Sequence, residues 1–280
     1  MSAGPSSSNT LLTVERGLQV LRAFRAESRA RSNAELVQIT GLSKATVSRL
    51  TSTLIELGFL RRVPGGRQFQ LSVGPLSIGH AFIESDLVLA RAHPFMQELA
   101  DRLNVSVALA AGDGLDMLYV GYRISRRIAT LRMGVGSMLP MATSMIGRAY
   151  LWGLPEPDRT ARLAAARRAL AAQGAKPAAL EAWQREIQDA FDDLATRGVC
   201  FATGGPGFQR DAFGIAVPVR VGLQEVSMAL SCGSVEPPSR AEDVRRRVEP
   251  ALLKARPAFE ALLADIDVDG KGAVALSHRA

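Results

Sequence analysis

The sequence predicts an N-terminal winged helix-turn-helix, mostly α with a β-hairpin wing, followed by a C-terminal α+β domain around an antiparallel sheet. Three observations predict it. Two short capped helix patterns, parted by a Gly-containing turn and followed by a Gly-rich hairpin, fill the first 74 residues. Strand patterns, then helix patterns, then a hairpin and a last helix fill most of the rest, the order of an α+β layer. The length of 280 residues suits two domains at about 150 residues each.

The first helix is expected from about Leu11 to Ala26, with Val14, Leu18, Leu21 and Phe24 as its apolar stripe. Ser32-Asn33-Ala34-Glu35 is a capping box in which Ser32 caps and Glu35 reaches back. The helix it opens ends near Thr40-Gly41, where glycine allows a tight turn. Ser43 then caps a third helix, Lys44 to about Leu57, with Val47, Leu50, Leu54 and Leu57 inward. Its first two turns present Lys44, Ala45, Thr46, Ser48 and Arg49, a set suited to a groove of duplex DNA. Small Ala45 and Ser48 permit close approach, Thr46 and Ser48 can hydrogen-bond bases, and Lys44 and Arg49 suit phosphate or guanine. Taken alone, the same pattern also describes a capped amphipathic helix with a solvated face. Phe59–Val63 and Arg67–Leu71 flank Pro64-Gly65-Gly66 as a hairpin, a wing whose Arg61, Arg62 and Arg67 would lie along a DNA backbone or minor groove.

Charge points the same way. Residues 1–80 hold ten Lys and Arg against four Glu, whereas residues 81–280 hold 24 basic against 23 acidic groups. A localised basic excess is what counterion release from a polyanion rewards. The two cysteines, Cys200 and Cys232, lie 32 residues apart, and the three histidines are scattered, so no metal or redox motif and no catalytic motif is expected. No metal, cofactor or enzymatic activity is therefore predicted. No apolar run approaches a bilayer span, and the Ser-rich residues 1–10 read as a disordered tail rather than a signal peptide, which implies a cytoplasmic protein with reduced thiols.

Residues 75–92 read as a linker helix, broken by His93-Pro94, with Pro94 opening the next helix. The C-terminal domain is placed at 93–266 and a flexible tail at 267–280. Strands are expected at Val105–Ala111, Leu115–Tyr122 and Ile128–Met133. Helices are expected at Thr143–Leu154, Pro157–Ala172 and Pro177–Arg197, paired strands at Phe213–Val219 and Glu225–Ser231, and a last helix at Arg240–Ile266. Gly136–Ala149 draws most attention: an irregular stretch leading into a helix capped by Thr143 or Ser144. The free amides of that first turn suit a carboxylate, and Met138, Leu139, Met141 and Met145 can wall an organic body. Ordinary N-capping over a Met-rich core explains the same residues.

Val14–Leu21, Thr40–Leu50, Thr53–Leu60 and Phe69–Gly74 together resemble the DNA-binding domain of the IclR family. The resemblance continues over roughly Thr13–Asp265 and implies a GAF-like, effector-binding C-terminal domain, a linker helix that builds the dimer, and assembly as a dimer or dimer of dimers. It places the effector loop at Leu139, Met141, Thr143, Ser144, Met145 and Ile146, with further contacts from Gly214, Ile215, Ser231 and Gly233. The loop wording is similar to the branch regulating aromatic-acid catabolism, apart from Ile146 before Gly147. Three departures bear on the pocket: Thr203–Gly207 where many relatives carry an acidic pair, Gly214 where a Cys is frequent, and Gly233 where a second Ser is frequent.

The expected function is sequence-specific binding of double-stranded operator DNA, modulated by a small organic acid, with repression and activation both open. Arg123, Arg126, Arg127 and Arg132 are further candidates to pair with the acid, against the plainer role of a solvated strand edge. Two rivals stand beside this: a DNA-binding repressor or architectural protein without an effector, and an enzyme acting on a small acid, for which no nucleophile and base pair is visible.

Overall fold

The computed structural model describes residues 11–25, 30–126, 133–203, 212–235 and 240–268. The chain forms two compact units, Met1–Ser85 and Asp86–Ala280. The expected tail at 1–10, most of the strand expected at Ile128–Met133, Arg127 and Arg132, Gly204–Gly207, and 269–280 lie outside the described residues.

In the first unit, α1 (Leu12–Arg22), α2 (Asn33–Thr40) and α3 (Lys44–Glu56) pack around Val20, Phe24, Leu36, Val47 and Leu54. Ser32 accepts from the Glu35 N–H, and the Glu35 carboxylate accepts from the Ser32 N–H at 2.7 Å, completing the expected capping box. Gly41 closes α2 in the left-handed region at φ 67°, which only glycine adopts without a Cβ penalty. Strands β2 (Leu60–Arg62) and β3 (Gln68–Leu71) form the hairpin, and β1 (Arg31–Ser32) adds a third strand in the order β1-β3-β2.

Two inward faces differ from the pattern reading. Val14 and Leu18 are 56% and 55% exposed, because α1 turns Gly17 and Val20 inward instead, while Phe24, just beyond its end, is buried as expected. Gly17 carries no apolar signal in a sequence, yet its bare surface is what meets Leu50. On α3, Thr51 takes the place expected of an aliphatic residue, and Leu57 is exposed. The Thr51 hydroxyl satisfies itself by donating to the Val47 carbonyl at 2.9 Å, so burying it leaves no unpaired polar group.

The expected 75–92 helix is two helices. α4 (Gly74–Ser85) stops at Asp86, whose carboxylate accepts from the Leu89 N–H at 2.8 Å and starts α5 (Leu87–Leu103). Pro94 therefore lies inside α5 rather than at its start. The missing backbone donor is offset by a long buried stripe, Val88, Leu89, Ala92, Met96, Leu99 and Leu103.

The second unit is a six-stranded antiparallel sheet, ordered β6-β5-β4-β9-β8-β7, between two helical layers. The strands are β4 (Ser106–Asp113), β5 (Asp116–Ile124), β6 (Met138–Pro140), β7 (Cys200–Thr203), β8 (Ala212–Val221) and β9 (Val226–Val235). α5 and α9 (Ala241–Leu263) cover one face. The other is covered by α6 (Met145–Gly153), backed by α8 (Pro177–Arg197), against which α7 (Glu156–Ala172) packs. Met138–Pro140, expected to be irregular, pairs with Leu118–Asp116 as an edge strand. Cys200–Thr203 forms the opposite edge, which its short length concealed. Both thiols are buried, and that burial pushes each up to about 12.

Gly147 sets how closely α6 meets the loop before it, since a Cβ there would overlap the Met141 carbonyl oxygen. Gly147→Ala should lower stability by about 3 kcal/mol, because a rigid backbone group must move. Gly79→Ala in α4, where an added Cβ meets nothing within 4 Å, should be neutral or slightly stabilising. Thermal denaturation that ranks the two variants alike would contradict this packing.

Candidate DNA interface and effector site

The recognition surface begins with the cap of α3. The Ser43 hydroxyl accepts from the Thr46 N–H at 3.2 Å and pairs with the Thr46 hydroxyl at 2.9 Å. This consumes one orphan amide and holds Thr46 half-buried, while Ser43, Lys44, Ala45, Ser48 and Arg49 are all exposed. Val47 on the opposite side is fully buried, so the helix presents one fixed face outward. Ala45, Ser48, Arg49 and Ser52 follow one another at helical spacing along it. Ser52 lies one turn beyond the residues that the sequence pattern singles out. Thus small exposed side chains lie beside Lys44 and Arg49, a face whose shape and charge suit close approach to a DNA groove.

In the hairpin, Arg61, Arg62 and Arg67 are all exposed. The Arg62 guanidinium lies 5.2 Å from the centre of the buried Phe69 ring, which restrains it without neutralising it.

The second site lies where α6 crosses the sheet. Ser144, not Thr143, is the cap: its hydroxyl accepts from the Gly147 N–H at 3.2 Å, and Thr143 is exposed. The amides of Met145 and Ile146 belong to the first turn, where helices have no internal acceptors. Trp183 on α8 donates through Nε1 to the Ala142 carbonyl at 3.1 Å, which pins the loop in front of that turn. Met141, Met145 and Ile146 are buried in the core beneath α6, and Leu139 packs against it half-buried.

The sheet face under α6 is unusually bare. Ser106, Gly233 and Gly214 stand in one register row across β4, β9 and β8, and Ala108, Ser231 and Ala216 in the next. A Cβ on Gly214 would collide with the Met145 methyl, so Met145 rests directly on that strand. Of the expected effector residues, the structure brings Met145, Gly214, Ser231 and Gly233 to this place. Ile215 points away: alternate residues face opposite sides, and Phe213, on the same face as Ile215, packs with its ring tilted against Phe201, which lies under Arg245 of α9. Arg123 is half-buried and donates to the Tyr122 carbonyl at 3.0 Å, while Arg126 is exposed.

Three residues of this site were missed from sequence: Ser106, Tyr119 and Tyr122. Strict alternation puts Tyr119 and Tyr122 on opposite faces. A register shift, at which Leu109 pairs with Gly121 and Ala110 with Tyr119, inserts Val120 as an extra residue in β5 and returns both rings to one face. They stack with centroids 6.0 Å apart, over Ala108 and Ala110. Burial pushes both phenols above the ordinary tyrosine range, opposed by the Ser231 hydroxyl for Tyr119 and the Ser106 hydroxyl for Tyr122. Both are therefore protonated donors at neutral pH.

With that geometry in place, comparison with known proteins is informative. Residues 13–64 match the IclR helix-turn-helix domain, and residues 80–256 match the C-terminal domain of bacterial IclR transcriptional regulators. The chain is 32% identical over 157 residues to the HTH-type transcriptional regulator TsaQ1/TsaQ2 of Comamonas testosteroni, covering 55% of this chain and 56% of that protein. It is 30% identical over 142 residues to the Pca regulon regulatory protein of Pseudomonas putida, covering 50% and 48%. The matches thus span about half the length of these curated relatives. Among solved structures, an IclR-family transcriptional regulator from Brucella abortus superposes with a TM-score of 0.78 at 32% identity, over 94% of this chain and 96% of that one. An IclR homologue from Microbacterium hydrocarbonoxydans in complex with 4-hydroxybenzoate shares the fold at a TM-score of 0.54 and 20% identity, over 89% and 99%. The capped helix pair, the wing, and the curled sheet crossed by α6 are accordingly those of a transcriptional-regulator family, not an enzyme family, and the chain belongs to the IclR family.

Proposed function

We propose that this protein binds operator DNA through α3 and its wing, and that a small organic acid seated between α6 and the sheet sets the strength of that binding. The exposed face of α3, small residues flanked by Lys44 and Arg49 beside three arginines of the wing, carries the reading. Ser43 and Thr46 fix the start of that face, and Arg61, Arg62 and Arg67 supply phosphate contacts. In the second unit, the α6 amides offer a partial positive end to a carboxylate, and the bare sheet face offers room for an organic body. The 4-hydroxybenzoate complex of the Microbacterium homologue supports an effector of this class. The acid acts only if it binds two states of the protein unequally.

We also propose a homodimer, or a dimer of dimers. Leu12, Val14 and Leu18 on α1, and Leu76, Ile78 and Phe82 on α4, are exposed. Pairing through such faces would present two recognition helices to a palindromic or repeated site. Among the described residues no helix is long and apolar enough to cross a membrane. A cytoplasmic location accords with that and with two buried free thiols.

Lys44→Ala combined with Arg49→Ala should abolish specific binding without changing the melting temperature. Each of Arg61→Ala and Arg67→Ala should instead weaken binding to all sequences and reduce the salt slope of log K by about one. Unaltered affinity of the double variant in a gel-shift titration would remove α3 from the interface. Ser144→Leu should abolish the effector response while weakening DNA binding far less, since loss of a cap costs only about 1 kcal/mol; an unaltered effector titration would count against the α6 site. Leu18→Lys with Phe82→Lys should shift the protein toward monomer in sedimentation. A distribution identical to the parent protein would place the dimer contact elsewhere.

A further inference from the structure

Among the described residues, the Tyr122 hydroxyl is one of several buried polar atoms of the second unit that complete no hydrogen bond, and it lies in the cluster under α6. Tyr122 is 8% exposed, and its hydroxyl completes no hydrogen bond of normal geometry. The Ser106 hydroxyl, whose own proton goes to the Gly233 carbonyl at 2.9 Å, opposes the upward shift of the phenol, yet the two oxygens form no hydrogen bond of normal geometry. A buried donor left without a well-formed acceptor costs about 1–3 kcal/mol, so its retention asks for a reason. Its surroundings give one. Tyr119, engaged with Ser231, stacks beside it, and the next register row of the sheet is Ser106, Gly233 and Gly214. The stretch is thus a floor of glycines and small side chains, bounded by two phenols at one end and by the first turn of α6 at the other. Met145 lies over Gly214 between them, and an unbranched thioether can swing aside or pack on an incoming ring.

We propose that Tyr122 is a specificity-determining residue of the effector site, donating its unpaired hydroxyl to a ring-borne oxygen of a compact hydroxyaryl acid. This rests on the effector reading above and narrows it. The ring lies on Gly214 and Gly233, the carboxylate meets the amides of Met145 and Ile146, and the hydroxyl oxygen at the far end of the ring meets Tyr122. Ser106 and Ser231 take the proton that this oxygen carries. An acid of equal size with a methyl group in that place leaves the phenol unpaired and binds more weakly.

The full-length protein is titrated calorimetrically with 4-hydroxybenzoate and with 4-methylbenzoate, beside Tyr122→Phe and Ser106→Ala. The parent protein should prefer 4-hydroxybenzoate about tenfold, the worth of one hydrogen bond. Tyr122→Phe should bind both acids alike, and without ligand it should melt no lower than the parent protein, since a buried unpaired hydroxyl has been removed. Ser106→Ala, which keeps the phenol, should retain most of the preference. Equal binding of both acids by the parent protein, or a preference that survives in Tyr122→Phe, overturns the assignment of Tyr122 while leaving an effector site in place. Binding of neither acid overturns the hydroxyaryl class. If operator affinity then also fails to respond to any organic acid, the effector reading falls as well.

Discussion

The close approach of α6 to the sheet is the constraint on which the second unit depends. A helix packed on a sheet of ordinary residues stands about 10 Å away. Here the contact is made through absent side chains: Gly214 admits Met145, Gly112 admits the ring of Tyr150, and Gly153 admits Pro218. Gly214 and Gly233 lie in one register row with Ser106, in strands paired on both sides by the ladder, so the missing side chains do not leave the sheet unsupported.

The first unit solves a different problem with the same economy. A reading helix must expose polar side chains yet stay rigid. The Ser43 cap, the Thr51 back-bond and the burial of Val47 fix α3 from its start, its inner face and its core, and they leave Lys44, Ala45, Ser48 and Arg49 outward. The wing is restrained by Phe69 beneath Arg62 and by the third strand at Arg31–Ser32. Rigidity before contact lowers the entropy lost on binding.

The capped helices of the first unit were legible because the signals are local. Ser32 with Glu35, Gly41, and Ser43 each act within four residues, and each is found where the pattern puts it. The apolar stripes were less legible. Periodicity shows that a helix has a buried side, but Gly17 and Thr51 show that the partner chooses which side it is. The break at Asp86 is hidden for a similar reason: Pro94 is the stronger local break signal than a capping carboxylate, and the packed stripe of α5 overrides it.

By itself, then, the sequence determined most of the helices and the longer strands, the caps at Ser32 and Ser43, the basic face and the family, all of which depend on residues near one another along the chain. Tertiary structure alone decided which small residues share a register row, that Ile215 turns away from α6, and that Tyr119 and Tyr122 lie together. Those outcomes depend on strand pairing between segments over a hundred residues apart, and on one inserted residue in β5. An extra residue reverses the facing of everything beyond it, and only the pairing partner reveals that it is there.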